Sequence, residues 1–222
     1  MLVYIDNNIL IDHENENLKL PHSSEVKYVY SYVHLQELGE RLSIIKDQRL
    51  RTIEDLTERR YVGNDANNRP AIYCRKPSDM FERVANPEIR ALFQRIQEAS
   101  AHWKVDDNPK FLLEKLGIEK KVVNNYSPEI LVEKYGDLIL HYIAQTSISG
   151  QEIFQSLFNI LNAIGFWQDR VNMGSTLNRI FDANHAYFAT ACDNFVTKML
   201  LVNYINGLLY FSVLCINYVT GM

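Results

Sequence analysis

Cysteine is scarce, with three residues in 222: Cys74, Cys192 and Cys215. An odd count at those spacings fits neither a disulfide framework nor a paired-cysteine zinc site, so reduced thiols and a cytoplasmic setting are expected. Glycine (9) and proline (6) are too few for a collagen-like or low-complexity chain. Basic excess is absent as well. The 23 Lys and Arg face 27 Asp and Glu, a formal net charge of −4, so the chain is not a general polyanion binder and nucleic-acid contact needs a local basic patch. No basic segment precedes the apolar run that ends before Asp6, so no signal peptide is expected. The largest gap is at the other end. All charged side chains lie within residues 1–198, and Met199 to Met222 carries none.

That uncharged stretch is long enough to cross a bilayer, which takes about 20 residues. Asn203, Asn206, Gly207, Ser212, Asn217 and Thr220 interrupt it, and no basic cluster follows. A helix over about 201–214 and a strand over 216–219, both buried in a soluble core, are the expectation; a membrane anchor is the lesser reading.

Apolar residues make up 47% and charged residues 23%, enough for a real hydrophobic core. Leu2-Val3-Tyr4-Ile5 reads as a buried parallel strand, and Lys27 to Tyr32 as a second strand rich in β-formers. A helical period runs from about Val33 to Arg60. Residues 61–77, with Gly63, Asn64, Asn67, Asn68, Pro70 and Pro77 as breakers, read as an irregular loop. Asn86-Pro87, Asn108-Pro109 and Ser127-Pro128 are helix starts, and Ser149-Gly150-Gln151-Glu152 is a capping box. A linker is expected near Asn172–Ser175, a helix opened by Asp182, and a strand at Phe195–Thr197. Strands alternating with helices imply an α/β fold with a parallel sheet, whose ligands sit beyond the C-terminal strand ends.

Asp6, Glu37 and Asp182 fall at or near such ends. Singly each has a bland role: Asp6 and Asp182 as helix N-caps, Glu37 as a first-turn acid facing the helix dipole, with His185 a hydrogen-bonded histidine near a helix start. Together, converging carboxylates form a hard-oxygen site suited to Mg²⁺ or Mn²⁺, and without a cation they would repel one another.

Three blocks carry a resemblance. Val3-Tyr4-Ile5-Asp6-Asn7-Asn8 resembles the opening of PIN-domain nucleases, a strand ending in Asp-x-Asn. Tyr32-Val33-His34-Leu35-Gln36-Glu37-Leu38 resembles the family's second strand running into a helix with an acidic ligand. Asp182 to Thr197 resembles its last core segment, an Asp beginning an Ala-rich helix followed by a strand ending in Thr. The resemblance implies a PIN-like three-layer α/β fold with a central parallel sheet of about four to five strands. It implies one domain over residues 1–222, with a mostly helical insertion at 41–170. It further implies Asp6, Glu37 and Asp182 as catalytic and metal-binding acids, with Asn8, His185 and Thr197 in support. Asp193 is either an additional metal ligand or a cap on the strand it precedes. The family continues Thr-x-Asp after that strand; Thr197-Lys198-Met199 replaces the final acid with an apolar residue.

The implied activity is a Mg²⁺- or Mn²⁺-dependent endonuclease, acting on RNA or else DNA, in a toxin–antitoxin or defence setting. A cognate protein inhibitor or operon partner and a homo-oligomer are the associated partner expectations. The alternative is a catalytically impaired nucleic-acid-binding or protein-interaction module. An aspartyl-phosphate phosphatase ranks last, because Asp6-Asn7-Asn8 lacks its second acid. Residues 41–76 hold nine Lys and Arg against five acids; Arg41, Lys46, Arg49, Arg59 and Arg60, with Tyr61 and Tyr73 nearby, are the candidate nucleic-acid surface.

Overall fold

Leu2–Ile5 forms strand β1, with Val3, Tyr4 and Ile5 all buried, as a strand covered on both faces requires. The chain is described from a computed structural model at residues 1–38, 43–88, 128–146, 149–163 and 173–197, together with 91, 114, 117 and 126. β1 is followed by α1 (Asn7–Glu14), β2 (Lys27–Ser31), α2 (Tyr32–Gln36), α3 (Ser43–Thr57), β3 (Arg60–Asn64), β4 (Pro70–Cys74) and α4 (Pro77–Ala85). Further along come α5 (Pro128–Thr146), α6 (Gly150–Ala163), α7 (Met173–Ala189) and β5 (Asn194–Val196).

The five strands form one sheet in the order β4-β3-β2-β1-β5. β1 runs parallel to β2 and to β5, β2 runs parallel to β3, and only β4 is antiparallel. The fold is therefore α/β, with a mixed, mostly parallel sheet flanked by helices. Successive strand residues face opposite sides. Val3 and Ile5 of β1 and Tyr28 and Tyr30 of β2 pack with Leu10 of α1, Leu35 of α2, Ile53 of α3 and Phe81 of α4. Tyr4 and Ser31 face the other side, where the Tyr4 hydroxyl meets His185 near the end of α7.

The chain divides into two compact units. The first is Met1–Gln94 with His185–Val202 and holds the whole sheet; the second is Arg95–Asn184 with Asn203–Met222. In the second unit two of the expected helix starts are seen, and Asn108-Pro109 lies outside the described residues. α5 begins at Pro128, and the Ser149 capping box opens α6, with the Glu152 N–H donating to Ser149 Oγ (3.3 Å) and the Ser149 N–H to Glu152 Oε2 (3.0 Å). Asn184 Oδ1 accepts from the amides of Gln151 and Gln155.

Three expectations are overturned. Residues 61–77 are not an irregular loop but carry the β3–β4 hairpin, so residues 43–85 of the expected helical insertion contribute two strands to the sheet. The breakers cluster where the hairpin turns. Asp65 Oδ1 accepts the N–H groups of Asn67 and Arg69, and Asn68 takes a positive φ of 56°. Pro70 stands at the first position of the outermost strand, where a missing N–H is tolerated. Gly63 lies under the Tyr61 ring, where an added Cβ would come within 2.6 Å of Cε1. Second, α7 starts at Met173, so the expected linker at 172–175 is largely helix and Asp182 is an interior helical residue rather than a cap. Third, the helix expected over 33–60 is two elements, α2 and α3. The 199–222 expectations lie outside the described residues, and none of the described helices is long and apolar enough to cross a membrane.

Candidate functional site

Asp6 directly follows β1 and occupies the N-cap position of α1, yet its side chain makes no capping bond. The carboxylate instead turns toward the ends of the neighbouring strands. Asp6 Oδ2 accepts from Thr197 Oγ1 (2.9 Å), just past β5, and from Asn8 Nδ2 (3.2 Å). Both bonds use one oxygen, and Oδ1 faces His185 Nε2 at 3.8 Å. Asp6 is buried, at 6% exposure.

Glu37 arrives from the other side, at the C-cap of α2. The helix-dipole role expected for it is reversed here, because a negative charge at a helix C-terminus is disfavoured. Side-chain partners compensate. Asn7 Nδ2 donates to Glu37 Oε2, and His185 Nε2 lies 3.4 Å from Oε1. Burial alone would raise the Glu37 pKa, but the hydrogen bond and electrostatic attraction of His185, with the bond from Asn7, outweigh it and hold the carboxyl below its ordinary 4.5. Its side chain remains 26% exposed. Asn7 is buried, and among the described residues its Oδ1 has no hydrogen-bond partner.

Behind these acids lies a buried polar chain that the sequence reading missed. Tyr4 OH is 2.7 Å from both Ser31 Oγ and His185 Nδ1. His34 Nδ1 accepts the Ser31 N–H (3.0 Å), and Nε2 donates to the Ile5 carbonyl (2.6 Å). The Ser31-x-x-His34 spacing is the visible signal, since His34 here takes the capping-box place of a Glu or Gln at the start of α2. Burial, reinforced by His185, pushes the His34 imidazole down to about 4, against weaker opposing effects from the Ile5 carbonyl, Glu37 and Asp6.

The His34 shift sets a pH dependence of stability. An unfolded histidine takes its proton near 6.5 and the folded His34 only near 4, so between those values the unfolded chain binds more protons. The stabilisation is complete above pH 6.5 and is lost as pH falls toward 4, by about 3 kcal/mol in total. Glu37, also held low, steepens the loss below its ordinary 4.5. Urea midpoints measured from pH 7 down to 4.5 should fall steadily; a flat profile would contradict a neutral buried His34.

Not every expected site residue joins this group. Asp193 is at the opposite end of β1, its Oδ2 accepting the Leu2 N–H (2.7 Å), so it caps the start of β5 and is no ligand beside Asp6. Asp182 remains the third candidate acid, three residues before His185 in α7. Arg49 is 3% exposed and ion-paired with Glu14, which removes it from any nucleic-acid surface. Arg59 pairs with Glu54 and Arg60 with Glu58, and the Lys46 ammonium lies 5.1 Å over the Phe81 ring. Tyr61 is buried and unavailable for stacking. Arg41 and Met199 lie outside the described residues. Cys192 is pushed up to about 12 by burial and by Asp193, which leaves an inert thiol.

Among the described residues, no group of three or more His, Cys, Asp and Glu is arranged to hold a metal ion. The oxygen chemistry present is narrower: two carboxylates, Asp6 and Glu37, with the amide oxygen of Asn7, unpartnered among the described residues, next to Asp6 in sequence. Hard oxygen donors of this type suit Mg²⁺ or Mn²⁺, with water completing the shell. No protein-family model matches the sequence, and no curated protein or solved structure matches it.

Proposed function

We propose that the sheet unit is a metal-dependent endonuclease that hydrolyses phosphodiester bonds, with RNA as its substrate, using Mg²⁺ or Mn²⁺ held by Asp6 and Glu37. One observation carries the reading: carboxylates following two adjacent parallel strands converge on a single imidazole, His185, at the strand ends where such sheets bind ligands. A cation bound there supplies Lewis-acid stabilisation of phosphoryl charge and lowers the pKa of a coordinated water. The chain's own residues orient the acids. Thr197 and Asn8 bind one Asp6 oxygen and leave the other facing the site, while Asn7 and His185 hold Glu37 against its unfavourable helix end. RNA as substrate, a PIN-like identity for the fold, a protein inhibitor and a toxin or defence role rest on the sequence resemblance.

A second reading is favoured by the absence of a three-acid group among the described residues and by Met199 in place of the expected acid. It is a nucleic-acid-binding module without turnover. One assay separates the two. Purified full-length chain, incubated with labelled RNA or DNA and Mg²⁺ or Mn²⁺, should cleave RNA, and Glu37→Gln should cleave at least tenfold more slowly. Metal binding by calorimetry without cleavage, and a gain of cleavage in Met199→Asp, would establish the second reading instead.

A further inference from the structure

The hydrogen-bond directions inside the sheet unit can be deduced from the backbone outward. The Ser31 N–H can only donate, so His34 Nδ1 accepts; the Ile5 carbonyl can only accept, so His34 Nε2 carries the hydrogen. Both ring nitrogens are thereby committed to backbone groups. Ser31 Oγ already accepts the Val33 N–H (3.2 Å) and has one hydrogen to give. The lone pair of His34 Nδ1 is taken at 3.0 Å by the Ser31 N–H, closer than Ser31 Oγ at 3.3 Å, so the Ser31 hydroxyl donates to Tyr4 O at 2.7 Å. With Ser31 donating inward, the single Tyr4 hydrogen goes to His185 Nδ1 at 2.7 Å. His185 Nδ1 therefore accepts, and its hydrogen sits on Nε2, facing Glu37 Oε1 and Asp6 Oδ1.

We propose that Tyr4 is a positioning residue: its hydroxyl, directed by Ser31 and His34, locks His185 as the Nε2–H tautomer aimed at the two site carboxylates. The polarity of two backbone groups on β1 and β2 is thus relayed through four side chains to the site. Ring packing fixes the relay in place, with Tyr4 5.1 Å from His34 and 5.6 Å from His185, and the two imidazoles 4.9 Å apart. A neutral histidine held in one tautomer donates to whichever carboxylate is presented, as the outer partners of metal-bound groups do. A functional consequence follows only if the nuclease reading holds; the tautomer itself does not depend on it.

Long-range ¹H–¹⁵N correlation spectra of the labelled full-length chain, assigned with His34→Gln and His185→Gln, test this directly. His34 and His185 should both show the Nε2–H pattern at neutral pH. Tyr4→Phe, which removes only the hydroxyl, should leave His34 unchanged and move His185 toward a mixture of tautomers. An Nδ1–H signal for His185 in the parent, or a His185 pattern unaltered by Tyr4→Phe, would overturn the proposal. The parent spectrum decides the first point even if Tyr4→Phe does not fold. With RNA, Tyr4→Phe should lower kcat roughly tenfold with KM unchanged, the scale of losing a partner that orients a site group. Parent protein that never cleaves would remove the nuclease reading and leave the tautomer result standing.

Discussion

Asp6→Asn should lower Mn²⁺-dependent cleavage by roughly a thousandfold while leaving the melting temperature within a few degrees of the parent. A cation's stabilisation of phosphoryl charge is worth several kcal/mol, and each tenfold in rate is about 1.4 kcal/mol. An Asn at this position keeps the shape of the side chain and one acceptor oxygen for Thr197 and Asn8. The surrounding backbone does not depend on the charge. The Asp6 N–H donates to the Val196 carbonyl, and the Asp6 carbonyl accepts from Ile9 and Leu10 at the start of α1. The side chain does not cap that helix. Removing one of two nearby negative charges also relieves repulsion with Glu37. Activity and stability should therefore separate, and a parallel fall in both would mean that Asp6 serves the fold. Asp193→Asn is the control. Its carboxylate lies at the other end of β1, on the Leu2 N–H, so that variant should cleave at the parental rate.

The contrast between these two acids shows what the sequence made legible. β1, β2 and β5 were readable as apolar or β-branched runs, and α5 and α6 by Pro128 and the Ser149 capping box, because those signals are local. Asp6 and Glu37 were readable because both follow runs that look like buried parallel strands. Asp193 stands so near Thr197 in sequence that a ligand and a strand cap stay equally open for it there, and the structure selects the cap. In a parallel sheet the two ends of a three-residue strand are chemically different places, and Asp193 precedes β5 whereas Thr197 follows it. The β3–β4 hairpin was hidden because Gly63 and Pro70 look like loop residues until the Tyr61 ring and the sheet edge are seen. Tyr4 and His34 were hidden for a related reason. Tyr4 sits on the inward phase of β1 and His34 at the start of α2, and both meet His185 more than 150 positions away, which no local pattern encodes.

The same confusion of local pattern with place affects Arg49, and its substitution has the second large expected effect. Arg49→Met should destabilise the chain by about 3–5 kcal/mol, the scale of removing one member of a buried ion pair. Arg49 and Glu14 side chains are 4% and 9% exposed, and they join the last residue of α1 to the middle of α3. Loss of the guanidinium leaves a buried carboxylate without a cation, and it is this stranded charge, more than the lost attraction, that costs stability. Replacing both partners, Glu14→Leu with Arg49→Met, should recover most of the loss, since well-packed apolar pairs often match buried ion pairs. A phosphate-contacting arginine predicts the opposite pattern: unchanged urea midpoints, weaker RNA binding, and a salt dependence shallower by about one contact. The pair also bears on the site. α1 starts one residue past Asp6 without a side-chain cap, so its position depends on Ile9 and Leu10 packed beneath it and on the Glu14–Arg49 pair at its far end. With the helix anchored there, the Asp6 carboxylate is released from capping and can turn toward Thr197 and His185. Arg49→Met should therefore reduce cleavage far less than Asp6→Asn at temperatures where both remain folded, and Mn²⁺ affinity measured by calorimetry should fall only in Asp6→Asn.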